Sequence, residues 1–217
     1  MTTLKLGDSA VFYGKGVGII TAQEDSDPRG NPCKIFVLKL EKSTARVRAD
    51  NPDTCSIRSL MDKETVTEVY EVLADRKTIP SQTTWNRRYR EYVQNIQSGE
   101  PINVAKVLRD LELLSIKKSL SFGESKIYSQ AKSLVIEEIA HVQIQAKIQK
   151  ELKTIESKED LKQLFSLIEE YLPDAKDSVE KKIYSLFEEE RKAVEAKNAE
   201  AEAGKKKKKT KKADKEA

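Results

Sequence analysis

The stretch INVAKVLRDLELLSIKK, residues 102–118, decides how the second half of the chain folds. Its apolar residues recur at intervals of three and four positions, at Val104, Val107, Leu108, Leu111 and Leu114. This spacing predicts an α-helix with one broad apolar face. Because such a face must be covered by other elements, the stretch predicts a helical domain built around it.

The flanking segments supply three further helices with the same spacing. From Met61 onward the apolar positions are Val66, Val69, Tyr70 and Leu73. Another helix runs from about Thr84 to the stop signals in SGEP, residues 98–101. The sequence SFGE, residues 121–124, matches a capping box, and it precedes Ile127, Ala131, Leu134, Val135 and Ile139. We therefore predict a compact all-α domain over residues 61–142.

Residues 4–60 have the alternation and turn composition of β structure. In STARVRAD, residues 43–50, small or apolar residues alternate with arginines. Five short strands joined by tight turns predict a small, strongly bent β-barrel over residues 1–60. The sequence GKGVG, residues 14–18, fits tight bends and not a phosphate loop, because no helix follows it. IFVLKL, residues 35–40, is either a core strand or an exposed edge that pairs with another protein's strand.

The segment after residue 142 predicts a helical extension, residues 143–203, and a lysine-rich tail, residues 204–217. One apolar stripe precedes Pro173 and a second follows it, which favours a helical hairpin. These stripes are Leu161, Leu164, Phe165 and Ile168, then Ile183, Leu186 and Phe187. The tail holds eight lysines and two acidic residues, so we expect it to be disordered. It either binds DNA through its charge or keeps the protein soluble.

Composition narrows the possible functions. The chain has 217 residues, 35% of them charged, and its apolar runs are far shorter than the roughly 20 residues that cross a bilayer. The first residues lack the basic and then apolar pattern of a signal peptide, so we expect a cytoplasmic protein without membrane contact. One histidine, His141, and two separated cysteines, Cys33 and Cys55, make neither a metal set nor a catalytic constellation. We expect a monomeric, α+β, non-enzymatic protein without cofactors, whose two cysteines are buried thiols.

TTWNRRYREY, residues 83–92, contains the only tryptophan of the chain. On a helix Trp85 shares a face with Arg88, Tyr89 and Tyr92, while Arg87 and Arg90 project from an adjacent face. Arginine binds phosphate through two hydrogen bonds, and an apolar ring between such groups resembles a minor-groove wedge. The alternatives are that Trp85 belongs to the helical core and that Arg88 forms an internal ion pair, for instance with Glu91 or Glu112.

Several of these motifs together resemble the CarD/CdnL family of bacterial transcription regulators. They occur in the order and spacing of that family, and the resemblance covers about residues 4–142. The motifs are LKLGDSAVFYGKGVGII (4–20), IFVLKL (35–40), ARVRAD (45–50), TWNRRYREYVQNIQSGEPINVAKVLRDL (84–111) and LSFGESKIYSQAKSLVIEEIA (120–140).

The resemblance implies a Tudor-like N-terminal domain that docks on the β subunit of RNA polymerase. It implies a helical domain that touches promoter DNA and stabilises the open complex, in the nucleoid-associated cytoplasm. Trp85 would then wedge into the minor groove at the upstream edge of the bubble. The candidate DNA contacts are Trp85, Arg87, Arg88, Arg90, Lys106, Arg109, Lys126 and Lys132. The candidate polymerase contacts are Arg29, Phe36, Arg46, Val47 and Arg48.

Two other functions remain open on the sequence. The first is a general DNA-binding or architectural protein that uses the lysine-rich tail without polymerase. The second is a protein adaptor built on the helices, in which Trp85 has no effect on DNA.

Overall fold

The computed structural model describes residues 4–26, 33–41, 43–48, 56–76, 84–152, 155 and 157–197. An antiparallel five-stranded sheet is followed by helices, which confirms the α+β class. The strands are β1 Ser9–Phe12, β2 Gly16–Ser26, β3 Cys33–Leu40, β4 Thr44–Arg48 and β5 Ile57–Ser59. The helices are α1 Lys63–Ala74, α2 Trp85–Gln97, α3 Pro101–Lys117, α4 Phe122–Glu151 and α5 Lys158–Leu186.

The sheet has the order β4-β3-β2-β1-β5. The register of β2 against β3 shifts between Ile20 and Ala22, which is the kind of irregularity that bends a strand. Strand β3 lies between β2 and β4, so the idea that IFVLKL is an exposed edge is wrong and its reading as a core strand is confirmed. One buried cluster within the sheet consists of Ala10, Ile20, Phe36, Leu38 and Ile57. Closure of these strands into a Tudor-like barrel stays a prediction.

The four helices predicted between residues 61 and 142 are all present, and their apolar faces form one core. Val104, Val107, Leu108 and Leu111 of α3 are buried at its centre. The predicted capping box at the start of α4 is also confirmed. The Ser121 N–H donates to Glu124 Oε2 at 2.9 Å, and the Glu124 N–H donates to Ser121 Oγ at 3.3 Å. The spacing of apolar residues and the capping residues were therefore sufficient to predict these four helices.

The prediction of a hairpin that turns at Pro173 is wrong, because α5 continues through the proline. The hairpin is instead made by α4 and α5, which run antiparallel. Tyr171 hydroxyl donates to Glu151 at 2.7 Å, and Lys132 contacts Glu180 at 2.6 Å. A proline inside a helix costs roughly 3 kcal/mol. Burial of apolar residues beyond it offsets that cost.

The C-terminal part of α5 belongs to the same core as the other helices. Val179, Ile183 and Phe187 are buried among residues of α1, α3 and α4. Arg191 pairs with Glu112 of α3, and Arg76, just after α1, pairs with Glu190. The extension therefore completes the helical domain instead of trailing from it.

A second apolar cluster joins the sheet to the hairpin. Ile19 of β2 packs with Ile144 of α4 and with Leu164 and Ile168 of α5. This packing places the sheet against the same α4–α5 hairpin that completes the helical core. Among the residues described, none of the helices has the length and apolar character to span a membrane.

Candidate nucleic-acid interface

Trp85 is the first residue of α2, and its indole is half-buried. One side of the ring rests on the beginning of α4, where a Cβ on Gly123 would lie 2.8 Å from Trp85 Cζ2. On α2 itself the Tyr89 ring lies 5.5 Å away between centroids, tilted by 58°. Trp85 therefore lies at the margin of the helical core, neither enclosed by it nor projecting from it. Glycine at position 123 is needed because any side chain there would displace the indole.

Two exposed aromatic residues adjoin Trp85: Tyr89, whose ring contacts the indole, and Phe122, which is next in sequence to the Gly123 on which the indole rests. Phe122 immediately precedes the glycine that supports Trp85, and its residue surface is 89% exposed, while that of Tyr89 is 44% exposed. We call Trp85, Tyr89 and Phe122 the aromatic surface. Exposed aromatic side chains that lie close together on a protein surface are candidates for a binding site. Such rings can stack on nucleic-acid bases.

Sequence reasoning missed Phe122, although a signal was present. The core face of α4 is formed by Ile127, Ala131 and Val135, spaced four residues apart. Phe122 lies five residues before Ile127 and so falls outside that series. A large apolar residue at the first position of a helix, off its apolar face, is a candidate for binding and not for packing.

The three arginines of α2 have different environments. Arg87 and Arg90 are exposed, and Arg87 Nε contacts Glu91 Oε1 at 3.2 Å on the surface. The Arg88 side chain is only 18% exposed, and its Nη2 contacts Glu124 Oε1 at 3.2 Å. The internal ion pair considered for Arg88 therefore exists, and Glu124 of α4 is its partner. Arg88 ties α2 to the capping box of α4 and so positions the aromatic surface.

Glu124 is held in its charged form by this arrangement. Burial acts to raise its pKa, but hydrogen bonds from Ser121 and the charges of Lys118 and Arg88 outweigh it and lower the pKa. Lys118 Nζ lies 3.6 Å from Glu124 Oε1. The carboxylate therefore neutralises part of the positive charge beneath the aromatic surface. Arg87 and Arg90 are exposed cations beside the aromatic surface.

The remaining candidate DNA contacts divide into exposed and occupied groups. Lys106 and Lys126 are exposed. Lys126 follows Phe122 by four positions on α4, so Phe122 and Lys126 lie on the same face of that helix. Lys132 is engaged with Glu180 of α5. Arg109 requires a correction, because its residue surface is only 4% exposed.

The Arg109 guanidinium lies between two carboxylates. Its Nη2 contacts Asp110 Oδ1 at 2.7 Å, and its Nη1 contacts Asp75 Oδ2 at 3.2 Å. A buried, paired guanidinium is not open to phosphate. We assign Arg109 to a structural link between α3 and the end of α1, and we remove it from the interface.

The candidate polymerase contacts on β4 lie at the edge of the sheet. Arg46 and Arg48 are exposed, as the alternation of the strand predicts. Val47 packs against the sheet core opposite Phe36, which is buried. Phe36 thus supports the edge strand from within and does not reach its surface. Arg29 lies outside the described residues, as do Cys55 and residues 204–217.

The described residues contain no cluster of three or more His, Cys, Asp or Glu that could hold a metal ion. Cys33 is a buried free thiol. His141 is buried in α4, far along the helix from the aromatic surface. The candidate interface is formed by aromatic rings and arginines, which are the groups that could stack on bases and bind phosphate.

The region that carries the aromatic surface is similar to known proteins. The family model described as CarD, C-terminal domain, matches residues 68–155, which include the aromatic surface and helices α2 to α4. A Bacillus subtilis (strain 168) protein named "Putative transcription factor YdeB" is 23% identical over 140 residues, covering 62% of this chain and 89% of that protein. The two matches support a CarD/CdnL-like relationship, and the family match begins after the β-sheet.

Proposed function

We propose that this protein is a non-enzymatic transcription regulator that bridges RNA polymerase and promoter DNA. The aromatic surface carries the proposal, because it combines a supported indole, two exposed rings and the exposed Arg87 and Arg90. The match to the CarD C-terminal domain covers this surface, and the Bacillus relative is named as a transcription factor. A cytoplasmic, nucleoid-associated location follows from this role.

The first turn of α2 suits the edge of a DNA bubble. Its Arg87 and Arg88 N–H groups donate to the Thr84 carbonyl at 3.1 Å, and within the described residues the Thr84 side chain caps none of the earlier N–H groups, those of Trp85 and Asn86. Such groups, together with Arg87 and Arg90, favour a phosphate. The Trp85 ring then lies where an unstacked base pair would be, because phosphate contacts fix the register of the ring on the DNA.

The energetic effect is sufficient for regulation. Stacking one base on an aromatic side chain is worth roughly 1–3 kcal/mol. Only interactions that form in the opened DNA shift the equilibrium toward it. About 1.4 kcal/mol of such differential binding is a tenfold change in the open fraction. One indole is therefore enough to stabilise the open complex measurably.

The sheet supplies the polymerase contact in this proposal. Strand β4 is an edge, so its outer N–H and C=O groups can pair with a strand of another protein. Arg46 and Arg48 alternate along that edge and favour an acidic partner surface. Arg46 makes one exposed contact, to Glu24 Oε1 at 3.3 Å, which a partner carboxylate could replace at little cost.

A promoter-opening assay with purified polymerase tests both contacts. We expect Trp85→Ala to retain polymerase binding and lose stabilisation of the open complex. We expect Arg48→Glu to lose polymerase binding itself. Tyr184→Ala is the matched control, because Tyr184 is an exposed aromatic residue on α5. Wild-type activity in both test variants would rule out the proposal.

The lysine-rich segment favours the second candidate, a general DNA-binding protein. A chain that ends at residue 203 separates the two functions. If the tail carries the function, this chain loses DNA binding and polymerase has no influence. If the protein bridges polymerase and promoter DNA, the shortened chain still stabilises the open complex at moderate salt.

A further inference from the structure

Helix α5 runs antiparallel to α4, so it returns the chain toward the end of the helical domain where α4 begins. Tyr171, in the first half of α5, donates a hydrogen bond to Glu151 at the last residue of α4. Further along α5, Glu180 pairs with Lys132, which lies much closer to the start of α4. Because α4 begins at Phe122, the chain approaches the aromatic surface as α5 proceeds.

The segment that follows α5 is held beside the first turns of α4. Residues 188–197 are helical, and Arg191 in this segment pairs with Glu112 of α3. The same Glu112 carboxylate accepts a hydrogen bond from the Tyr128 hydroxyl of α4 at 2.5 Å. Tyr128 follows Phe122 by six positions, which is about 9 Å of helix. The chain therefore leaves the helical domain near the end that carries the aromatic surface.

The lysine-rich tail begins a short length of chain beyond this point. Residues 205–212 contain seven lysines in eight positions. Residues 198–204 separate this run of lysines from the last described helical residue, and a chain of that length spans at most about 25 Å. This reach is more than twice the 9 Å between Tyr128 and the start of α4. The run can therefore contact DNA that is bound at the aromatic surface.

The tail has a weaker competing partner in the acidic stretch that precedes it. Residues 188–203 contain six acidic and three basic residues, a net charge of −3. Two of these carboxylates are already engaged, Glu188 with Lys192 and Glu190 with Arg76. Duplex DNA carries one negative charge per roughly 1.7 Å, a far higher charge density. The run of lysines therefore favours DNA over the chain's own acidic stretch.

We propose that residues 204–217 bind the phosphate backbone of the duplex beside the fork, while the aromatic surface engages the fork itself. This inference rests on the proposed function, because it uses the fork contact of Trp85. Lysine–phosphate pairs are blind to base sequence and are weakened by salt. Once the fork is bound, the tail meets the same DNA at a high effective concentration, so each contact strengthens the other.

Moving the tail to the other terminus tests its placement. One variant ends at residue 203, and a second carries residues 204–217 ahead of residue 1 instead. The start of the chain lies at the far end of the α4–α5 hairpin, because Gly7 lies against the Ile155 side chain, just after α4. The 30 residues of α4 separate the two ends by about 45 Å. The moved tail keeps its charge but has a low effective concentration at the fork.

Anisotropy with short forked promoter DNA, without polymerase, measures affinity over a range of salt concentrations. We expect removal of the tail to weaken binding by about tenfold or more and to lower the salt slope by several, since each phosphate contact contributes roughly 0.9. The moved tail should restore only a small part of that affinity. All three proteins keep residues 1–203, so the helical core is complete in each. Equal affinity of the native and moved-tail proteins, or no effect of removal, would overturn the proposal.

Trp85→Ala in the full chain separates this inference from the proposed function. We expect it to keep the salt slope of the tail and to lose the preference for forked over fully paired DNA. An unchanged preference would overturn the fork contact of the proposed function and this inference with it. Loss of the preference, combined with equal affinity of native and moved tails, would overturn the placement of the tail alone. Lys162→Ala, on the exposed face of α5, is the control and should change neither property.

Discussion

Arg58 and Glu138 form a two-pronged ion pair that joins the last strand of the sheet to the middle of α4. Arg58 Nη1 donates to Glu138 Oε1 at 2.5 Å, and Nη2 donates to Oε2 at 2.8 Å. Arg58 Nε also donates to the Gly99 carbonyl at 2.6 Å, and the Met61 N–H donates to Glu138 Oε1 at 2.9 Å. One arginine therefore connects β5, the α2–α3 turn and α4.

We expect Arg58→Met to destabilise the protein by about 3–5 kcal/mol, because it leaves the Glu138 carboxylate buried without its partner. Urea unfolding measures the change in the free energy of unfolding. Arg46→Met is the matched control, since it breaks the exposed pair with Glu24 and should cost about 0–1 kcal/mol. Equal effects of the two substitutions would show that the Arg58 pair contributes no more than a surface ion pair.

The same pair should matter for bridging, because it fixes the β4 edge relative to the aromatic surface. A looser connection lowers the effective concentration of one contact once the other has formed. We expect Glu138→Gln to bind polymerase and forked DNA separately with near wild-type affinity, but to stabilise the open complex less well. Binding measured by anisotropy and opening measured by permanganate footprinting distinguish these effects. Full opening activity at wild-type stability would contradict this role.

Phe122→Ala should weaken binding to forked promoter DNA without affecting stability. Its side chain is almost fully exposed, so the free energy of unfolding should change by less than about 0.5 kcal/mol. Loss of one stacked base corresponds to roughly 1–3 kcal/mol of binding. Fluorescence anisotropy with forked and fully paired DNA makes the comparison. Tyr184→Ala should have no effect, and an equal reduction of affinity for both DNAs would exclude stacking at the fork.

Arg87→Ala and Arg90→Ala should each reduce the salt dependence of DNA binding. Removing one arginine–phosphate interaction lowers the slope of log affinity against log salt by about one. Titrations across a range of salt concentrations measure that slope, with Lys162→Ala as an exposed control on α5. Arg109→Ala should instead destabilise the fold, because Asp75 and Asp110 lose their buried partner. An unchanged slope in both α2 variants would exclude them from the interface.

Local patterns in the sequence were enough to predict helices α1 to α4 and the outward direction of the β4 arginines. Apolar spacing decided α1 to α4, and alternation decided which side chains of β4 project outward. Both signals depend on residues within a few positions of one another. The α2 motif likewise pointed to Trp85 because its neighbours in sequence are its neighbours on the helix.

Long-range pairing could not be predicted in the same way. Arg58 and Glu138 are separated by 80 positions, and nothing local indicates that they meet. In the sequence Arg109 resembles a surface arginine of α3, but in the fold it is paired with Asp75 at the end of α1. Pro173 predicted a break, yet tertiary burial of Val179 and Ile183 maintains the helix beyond it. In each case the outcome depended on residues that are far apart in the sequence and close in the fold.

His141 should make stability depend on pH between about 6.5 and 4. Burial holds its folded pKa near 4, below the usual 6.5, so the unfolded chain binds more protons in this window. Stability therefore falls as the pH is lowered, by about 3 kcal/mol in total. The raised pKa of Glu137 opposes this trend above pH 4.5, so the comparison must be made against His141→Phe. Urea unfolding from pH 7 to 4 should show a steeper decline in the wild type than in the variant. Parallel profiles would mean that His141 is as accessible to protons in the folded protein as in the unfolded chain.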